Sequence, residues 1–351
     1  MLGWLLGQRY PTLERVKRAI KFKFAACSSS HFLPIAHQNT PLSPNAHSNF
    51  HSPPPVPPTQ PFNQFRKATI TNAPCCPNKS FNLQLIAIDD NKPPTPKLQS
   101  TRVLFSAPPG KFTDYPKAVE SVLSSHLLPS PSSRFLFTSS GSVFPQKSKE
   151  TVTESSPTFD PHIEQIPDRI AKLLEAENLV TSNDAGVVIR LAGLYLPNRG
   201  AHSYWLRPDV TKVNSSGDGL INLLHYDDAA AAVVKVLDVE CSSRNKLFIV
   251  SDGNPLTRTE ICQVAIDKGQ DGSTPSFAET TPESDLGKVY DCSKIKSTGW
   301  TPRIPKFADC FTKSLEDYKI LFTGLPIPEL KNWALLLDIN VEGVKVSEQQ
   351  A

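Results

Sequence analysis

The chain has 351 residues, of which 39% are hydrophobic and 20% charged, and its formal net charge is +3. So small a charge argues against the polybasic surface of nucleic-acid-binding proteins, and no apolar run approaches the roughly 20 residues of a membrane span. The seven cysteines include no C-x-x-C pair. This excludes the usual zinc spacing and predicts no metal site, with free thiols in a reducing compartment.

The first part of the chain differs in composition from the rest. Before Asp89 the only acidic residue is Glu14, and residues 28–77 are rich in Ser, Pro, Asn and His. Such a segment buries too little apolar surface to offset its chain entropy, so residues 21–98 are expected to be largely disordered. Two interpretations stay open for them: a basic targeting peptide and an artefactual insertion, such as a translated intron. Targeting would place the protein in the chloroplast, with the mitochondrion or the cytoplasm as alternatives.

One foldable run stands out within this region. The sequence NLQLIAIDD, residues 82–90, predicts a short strand that ends in two carboxylates and could join the edge of a sheet. No other strand or helix is predicted between residues 21 and 98.

From Thr101 onward, continuous apolar strands alternate with helical stretches. The predicted strands are TRVLFSAPP, RFLFTSS, GVVIRLAGLY and KLFIVSDG. The predicted helices include DYPKAVESVLSSHLL, DRIAKLLEAENLV, DDAAAAVVKVL and TRTEICQVAI, the last beginning at a capping-box signature. This alternation predicts an α/β fold with a doubly wound parallel sheet covered on both faces.

Small or turn-forming residues follow three of these strands, in the runs SAPPG, TSSG and AGLY. Ligands bind at the carboxyl ends of the strands in such a sheet, and small residues there let a flat ligand lie close to the backbone. The alternative is that any turn from strand to helix is built of such residues.

The elements together resemble the extended short-chain dehydrogenase/reductase superfamily, in particular the atypical NAD(P)-binding members of its NAD-dependent epimerase/dehydratase group. The motifs VLFSAPP, FLFTSSGSVF, VVIRLAGLY, GLINLLHYDDAAAAVV and STGWTPR carry the resemblance, from about Thr101 to about Leu315. It implies a Rossmann-like core with a small C-terminal substrate lobe over residues 99–325, followed by a tail over residues 326–351. It also implies NAD or NADP as cofactor and a small-molecule substrate, such as a sugar nucleotide or a small carbonyl compound.

The resemblance also gives the opening MLGWLLGQRYP a meaning. Met1-Leu2-Gly3 is similar to the end of the family's glycine-rich turn, and residues 1–20 are similar to the remnant of its first helix. The first strand of the nucleotide half and its two other glycines would then be missing, as in an N-terminally truncated member. A chance match of three residues is the alternative. Asp89 or Asp90 would stand in for the residue that selects between NAD and NADP if residues 83–90 are the displaced second strand.

The resemblance assigns cofactor contacts to the remaining glycine and to the turns after the three strands. The predicted cofactor-binding residues are Gly3, Ala107, Pro108, Pro109, Ser139, Ala192, Gly193 and Leu194.

The family's catalytic set, Ser with Tyr-x-x-x-Lys, is incomplete in this sequence. Ser140 occupies the Ser position and is the candidate catalytic residue. An alignment on LLEAE places Arg169 and Leu173 at the Tyr and Lys positions, and a shift by one residue places Asp168 and Lys172 there. Arg169 cannot donate a proton near neutrality because its guanidinium stays charged. The sequence therefore does not decide whether the protein is an enzyme.

The run RGAHSYWLR follows the third strand and suggests a substrate site. Arg199, His202 and Tyr204 are the candidates, since an Arg/His pair there would bind a phosphate or a carboxylate. A structural loop with packed aromatic residues is the alternative. Asp227 and Asp228 are expected to be helix caps rather than an acid/base pair.

Three functions remain open at this point. The first is an NAD(P)-binding protein of the epimerase/dehydratase type, with an unknown substrate and without the Tyr-x-x-x-Lys pair. The second is a non-catalytic nucleotide-binding or sensing module, and the third is a non-functional truncated product. No nucleic-acid or membrane partner is predicted, and the sequence does not indicate an oligomeric state.

Overall fold

The computed structural model describes residues 66–70, 81–87, 99–160, 165–238, 246–312 and 333–339. Strands and helices are numbered below over these residues. The predictions made for residues 1–20, including Gly3, and for Asp89 and Asp90 lie outside the described residues.

A seven-stranded sheet forms the centre of the protein. Its spatial order is β1 (Arg66–Ile70), β2 (Phe81–Ala87), β15 (Trp333–Ile339), β3 (Arg102–Phe105), β4 (Arg134–Ser140), β6 (Gly186–Leu191) and β11 (Leu247–Val250). The last four of these strands pair in parallel. Their continuous apolar runs are buried, as in β6, where all six residues are buried. The predicted α/β fold with a parallel sheet is confirmed.

Some helices pack against the parallel strands, and others lie between these strands and the lobe. They are α1 (Tyr115–His126), α2 (Asp168–Ser182), α3 (Ala201–Trp205), α4 (Tyr226–Asp238), α5 (Arg258–Asp267) and α6 (Ser293–Ser297). The predicted apolar stripe of α2 is buried at Ile170, Leu173 and Leu174. The predicted capping box of α5 is present, because the Thr257 hydroxyl accepts from the Glu260 amide and Glu260 accepts from the Thr257 amide. No helix among the described residues is long and apolar enough to cross a membrane.

Short strand pairs connect the parallel core to a second group of elements, called the lobe, whose own hydrophobic cluster includes Trp205, Leu223, Ile261 and Phe307. They are β5 (Thr151–Val152) with β14 (Val289–Tyr290), β7 (Gly193–Tyr195) with β10 (Leu223–His225), β8 (Lys212–Ser216) with β13 (Ser276–Ala278), and β9 (Leu220–Ile221) with β12 (Leu256–Thr257). Three 3₁₀ helices cover Pro109–Lys111, Gly141–Val143 and Phe307–Thr312. The pairing of β14 with β5 matters most for the site, because it brings the lobe next to the end of β4.

The other half of the sheet departs from the prediction. β15 pairs antiparallel with both β2 and β3, so β2 runs parallel to β3. The predicted strand within residues 82–90 is therefore present as β2, but it lies inside the sheet between β1 and β15 rather than at the edge. β1 and β15 were not predicted, since a short apolar run such as WALLLDI does not distinguish strand from helix. β15 occupies the position next to β3 that a nucleotide-binding sheet gives to its first strand.

One of the two predicted caps of α4 has other partners. The Asp228 carboxylate is buried and accepts hydrogen bonds from the amides of Arg303 (2.8 Å) and Ile304 (3.0 Å). Asp227 lies in the first turn of α4, and its amide donates to Nδ1 of His225 at 3.2 Å. Asp228 thus anchors the loop that carries STGWTPR, and the expectation that it caps α4 was wrong.

Candidate functional site

A cleft of about 450 Å³ opens at the carboxyl ends of β3, β4 and β6. One wall is made of the turns that follow these strands, and the other is made of lobe residues. The structure brings most of the predicted site residues together in this cleft: Ala107, Pro108, Pro109, Ser139, Ser140, Ala192, Gly193 and Leu194. Their location follows from the parallel sheet, because the carboxyl ends of its strands meet at one edge. Their roles in cofactor binding and catalysis stay predictions.

The two serines at the end of β4 differ in their hydrogen bonds. The Ser140 hydroxyl accepts from the amide of Ser142 at 3.2 Å and so caps the 3₁₀ turn Gly141–Val143. The Ser139 side chain is 6% exposed, and its Oγ has no hydrogen-bond partner among the described residues. Buried hydroxyls normally have a partner. The Ser139 hydroxyl, in a residue that lines the cleft, is therefore available for a hydrogen bond to a ligand or to water.

Arg169 lies in the first turn of α2 and lines the cleft together with Leu173. Its Nη2 donates to Oγ of Ser142 at 3.2 Å, and burial lowers the pKa of its guanidinium. Lys172 on the same helix is 2.9 Å from Asp168 in an ion pair one turn apart. The alignment that placed Arg169 at the Tyr position thus corresponds to a side chain in the cleft.

The lobe contributes a lysine to the opposite wall. Lys288 Nζ donates to the carbonyl of Phe144, and burial lowers the pKa of this lysine. The Asn222 side chain holds the backbone of β14 on both sides: its Nδ2 donates to the Lys288 carbonyl at 2.7 Å, and its Oδ1 accepts from the Tyr290 amide at 3.0 Å. The cleft wall is therefore fixed by side chain–backbone hydrogen bonds rather than left to a free loop.

Tyr290 places a phenol beside the end of β4. A Cβ built on Gly141 would come within 1.9 Å of the Tyr290 hydroxyl oxygen, so the ring rests directly on this glycine. The ring also packs against Phe144, with centroids 6.2 Å apart. Burial raises the pKa of Tyr290, with a smaller contribution from Cys292, and so the hydroxyl stays protonated. Sequence reasoning missed this residue because only the β5–β14 pairing brings it to Ser140.

Arg258 adds a further cation at the lobe side of the cleft. Its Nη1 donates to the carbonyls of Ser216 (2.9 Å) and Asp285 (3.4 Å). Burial lowers its pKa, and the Asp285 carboxylate opposes that shift. The wall of the cleft is thus positively charged, with the exposed Asp285 as the carboxylate among its lining residues.

The three predicted substrate residues do not line the cleft. His202 is buried, its Nε2 lies 2.9 Å from the Pro197 carbonyl, and its ring stands edge-on to Phe307 at 5.1 Å. Arg199 lies over the ring of Tyr226, and Tyr204 carries the guanidinium of Arg207 on its ring.

Ala201 and Trp205, one turn apart on α3, face the cleft in their place. The run RGAHSYWLR therefore borders the cleft through Ala201 and Trp205, whereas the helical periodicity of α3 places His202 in the aromatic cluster. Burial lowers the pKa of His202, which keeps its imidazole neutral.

A second buried polar group lies away from the cleft, after β11. The Asp252 carboxyl is 2% exposed; Oδ1 accepts from the Asn254 amide at 2.8 Å, whereas Oδ2 has no partner among the described residues. Burial, with a contribution from Asp228, raises the pKa of Asp252 to about 7. Nearby, the Tyr195 hydroxyl is also buried and has no hydrogen-bond partner in the described part of the chain. No group of three His, Cys, Asp or Glu side chains in the described ranges is placed to hold a metal ion.

Neither a family model nor a curated protein matches the chain, whereas many solved structures are similar to it. A conserved protein of unknown function from Silicibacter pomeroyi is 17% identical with a TM-score of 0.48, over 65% of this chain and 81% of that one. The dTDP-glucose 4,6-dehydratase of Bacillus anthracis, in complex with NAD, is 15% identical with a TM-score of 0.47, over 63% and 73% of the two chains.

The UDP-glucose 4-epimerase of Thermotoga maritima, with UDP-glucose, is 15% identical with a TM-score of 0.44 and covers 58% of this chain and 67% of its own. The chain is therefore similar to structures of NAD-dependent epimerases and dehydratases. All three TM-scores lie below 0.5.

Proposed function

We propose that the cleft binds NAD or NADP and that the protein is an enzyme of the epimerase/dehydratase type acting on a small carbonyl compound or a sugar nucleotide. The unpartnered, buried Ser139 hydroxyl at the carboxyl edge of the parallel sheet carries this proposal. A bound ligand would supply the hydrogen bond that the hydroxyl lacks.

The residues present fit one part of a dinucleotide. The small turns Ala107–Pro109 and Ala192–Leu194, together with Ser139, would hold it close to the backbone. At the position next to β3, however, the described residues supply the antiparallel β15 instead of a strand that ends in a glycine-rich turn. The pyrophosphate would therefore lack its usual cradle of backbone amides, and we expect micromolar rather than tighter affinity.

The cofactor, when bound, supplies hydride chemistry, and this chain's residues would bind and orient the substrate. The Tyr290 hydroxyl is protonated and makes no hydrogen bond to the described residues, so it is available to donate to a substrate oxygen beside Ser140. Tyr290 of the lobe would then take the role of the tyrosine in the absent Tyr-x-x-x-Lys pair, which is expected on α2. Arg169 holds positive charge in the cleft but does not transfer a proton.

One observation favours the second candidate, a non-catalytic cofactor-binding module. An acid/base tyrosine works best with a pKa brought down towards neutrality, whereas burial raises the pKa of Tyr290. A sensing module would bind the cofactor equally well and turn over no carbonyl substrate.

Titration of NADH and NADPH into the purified full chain, followed by quenching of protein fluorescence, tests the proposal. Trp205 lines the cleft and is the expected reporter. Gly193→Leu adds a side chain to a residue that lines the cleft, with its Cβ 3.1 Å from the Asn222 carbonyl oxygen, and it should weaken binding at least tenfold. Gly110→Leu is the matched control, because a Cβ there meets nothing within 4 Å and Gly110 does not line the cleft.

Absence of binding to a folded chain, or binding that Gly193→Leu leaves unchanged, would rule out this cofactor site. Where binding is found, turnover of small carbonyl compounds and sugar nucleotides decides between enzyme and module. A Tyr290→Phe variant that loses turnover but retains NADH binding would support the enzyme.

A further inference from the structure

Two cations from different parts of the chain converge on one short turn. Arg169, from the first turn of α2, donates to the Ser142 hydroxyl, and Lys288, the residue directly before β14, donates to the Phe144 carbonyl. Both acceptors lie in the turn Gly141–Phe144 that follows Ser140, and both cations line the cleft. The turn is thus flanked by positive charge from two sides.

Neither cation has a carboxylate within 4 Å among the described residues, in contrast to the paired Lys172 and Arg190. Asp285 and Glu150 contribute only longer-range attraction at Lys288, and Lys147 opposes it. Burial lowers the pKa of both cations, and at Lys288 the attraction of Asp285 and Glu150 only partly offsets this effect. A cation in this setting gains strongly from an anionic partner, because a charge-assisted hydrogen bond is about twice as strong as a neutral one.

Tyr290 adds a neutral donor to the same place. Its hydroxyl makes no hydrogen bond to the described residues and rests on Gly141, the first residue of the turn. The guanidinium and the ammonium at this turn match the oxygens of a carboxylate or a phosphate, which accept several hydrogen bonds at once, and the phenol lies beside them for a second oxygen of the substrate.

We propose that Arg169 and Lys288, around the turn Gly141–Phe144, form an oxyanion subsite that binds the carboxylate or phosphate of the substrate, next to the Tyr290 hydroxyl. The inference rests on the proposed function, because a substrate subsite presupposes a cofactor in the same cleft. It narrows the substrate class to acidic compounds, in which the anionic group lies close to the oxygen that Ser140 and Tyr290 address. Neutral aldehydes and ketones are then poor substrates.

Titration of inorganic phosphate and of malonate into the purified full chain, by calorimetry at constant ionic strength, provides the test. The wild-type chain should bind at least one of them saturably. Arg169→Gln and Lys288→Gln should each weaken that binding about tenfold or more, since each removes a charged hydrogen bond. Lys172→Gln is the matched control: it removes the same charge from the same helix, but from an ion pair with Asp168. Preference for phosphate or for malonate identifies the kind of oxyanion.

An absence of saturable binding by both anions would overturn the subsite, as would an equal loss in Lys172→Gln, which would indicate a general charge effect. Arg169→Lys keeps the charge and should retain part of the affinity, and it replaces Arg169→Gln if circular dichroism shows that the latter is unfolded.

A repeat of the titration at saturating NADH separates the two proposals. Anion and NADH bound together support a substrate subsite, whereas displacement of the anion by NADH would assign these residues to the cofactor phosphates and overturn it. Anion binding to a chain that does not bind NADH would instead overturn the proposed function and leave an anion site that stands without it.

Discussion

Two arginines near the end of β4 meet opposite surroundings. Arg190 on β6 lies in the interior, where its Nε and Nη2 donate to the Glu177 carboxylate of α2, the shortest of these contacts being 2.6 Å. Its guanidinium also lies over the ring of Phe144 at 4.7 Å. Arg169, also on α2, faces the cleft and donates to a neutral hydroxyl. One charge is neutralised within the fold and the other is not.

The difference between the two arginines indicates that Arg190 has a structural role and that Arg169 is available for a ligand. A buried cation with a carboxylate on a neighbouring element fixes the packing of those elements, and its loss affects folding. A cation in a cleft that is bonded only to neutral oxygens contributes less to folding, and it remains available for a ligand. The same contrast extends to the uncharged groups: the Ser140 hydroxyl caps a turn, whereas the Ser139 hydroxyl has no partner in the described residues.

The largest loss of unfolding free energy is expected when the buried ion pair between Arg190 and Glu177 is broken. Glu177→Gln leaves the guanidinium of Arg190 buried without a counter-charge, which should cost about 3–5 kcal/mol of unfolding free energy. Arg169→Gln removes a charge from the cleft and should change that free energy by less than about 1 kcal/mol. Urea denaturation of both variants measures the contrast. Similar losses in the two would show that Arg169 is as structural as Arg190.

The contrast was not accessible from the sequence. Both arginines lie in recognisable elements, and the alignment of LLEAE even put Arg169 at the catalytic position. Which of them meets Glu177 depends on the packing of α2 on β6, and no periodicity encodes that distance. By comparison, the small turns after β3, β4 and β6 were predicted correctly as the lining of one cleft, because a parallel sheet forces the carboxyl ends of its strands to one edge.

Long-range pairings explain what else was missed. Lys288 and Tyr290 reach the cleft only through the pairing of β14 with β5, and β15 enters the sheet between strands that lie far from it in sequence. The displacement of His202 from the predicted substrate site has a local cause. The five-residue α3 places Ala201 and Trp205 towards the cleft, and the intervening histidine faces Phe307.

Asp252 is a buried group outside the cleft whose Oδ2 has no partner among the described residues, so it can be compared with Ser139 inside the cleft. Burial raises its pKa to about 7, against about 3.9 in an unfolded chain. Between these values the folded state binds more protons than the unfolded state. The contribution of the Asp252 carboxyl to stability is therefore most favourable below about pH 4 and is lost as the pH rises from there through 7, with a slope of up to about 1.4 kcal/mol per pH unit.

Asp252→Asn should remove this dependence and leave the variant roughly 2–4 kcal/mol more stable than the wild type at pH 8. Urea midpoints of both chains at pH 5 and pH 8 measure the difference between the two curves. An equal pH dependence of the unfolding free energy in the two chains would show that a counter-charge or water stabilises the Asp252 carboxylate in solution. The unpartnered oxygen would then not destabilise the folded state.

The smallest effect on stability, and the most informative for function, is expected at Ser139. Removal of a buried hydroxyl that has no partner relieves a desolvation penalty, so Ser139→Ala should leave the unfolding free energy unchanged or raise it by up to about 1 kcal/mol. Ser140→Ala should lower it by about 0.5–1 kcal/mol, because it loses the hydrogen bond to the Ser142 amide. For NADH affinity the order should reverse, with Ser139→Ala the weaker binder, since its hydroxyl is the one left for a ligand. If Ser139→Ala instead destabilises the free chain and binds NADH normally, a buried water rather than a cofactor satisfies that hydroxyl, and the cleft loses the observation on which its proposed function rests.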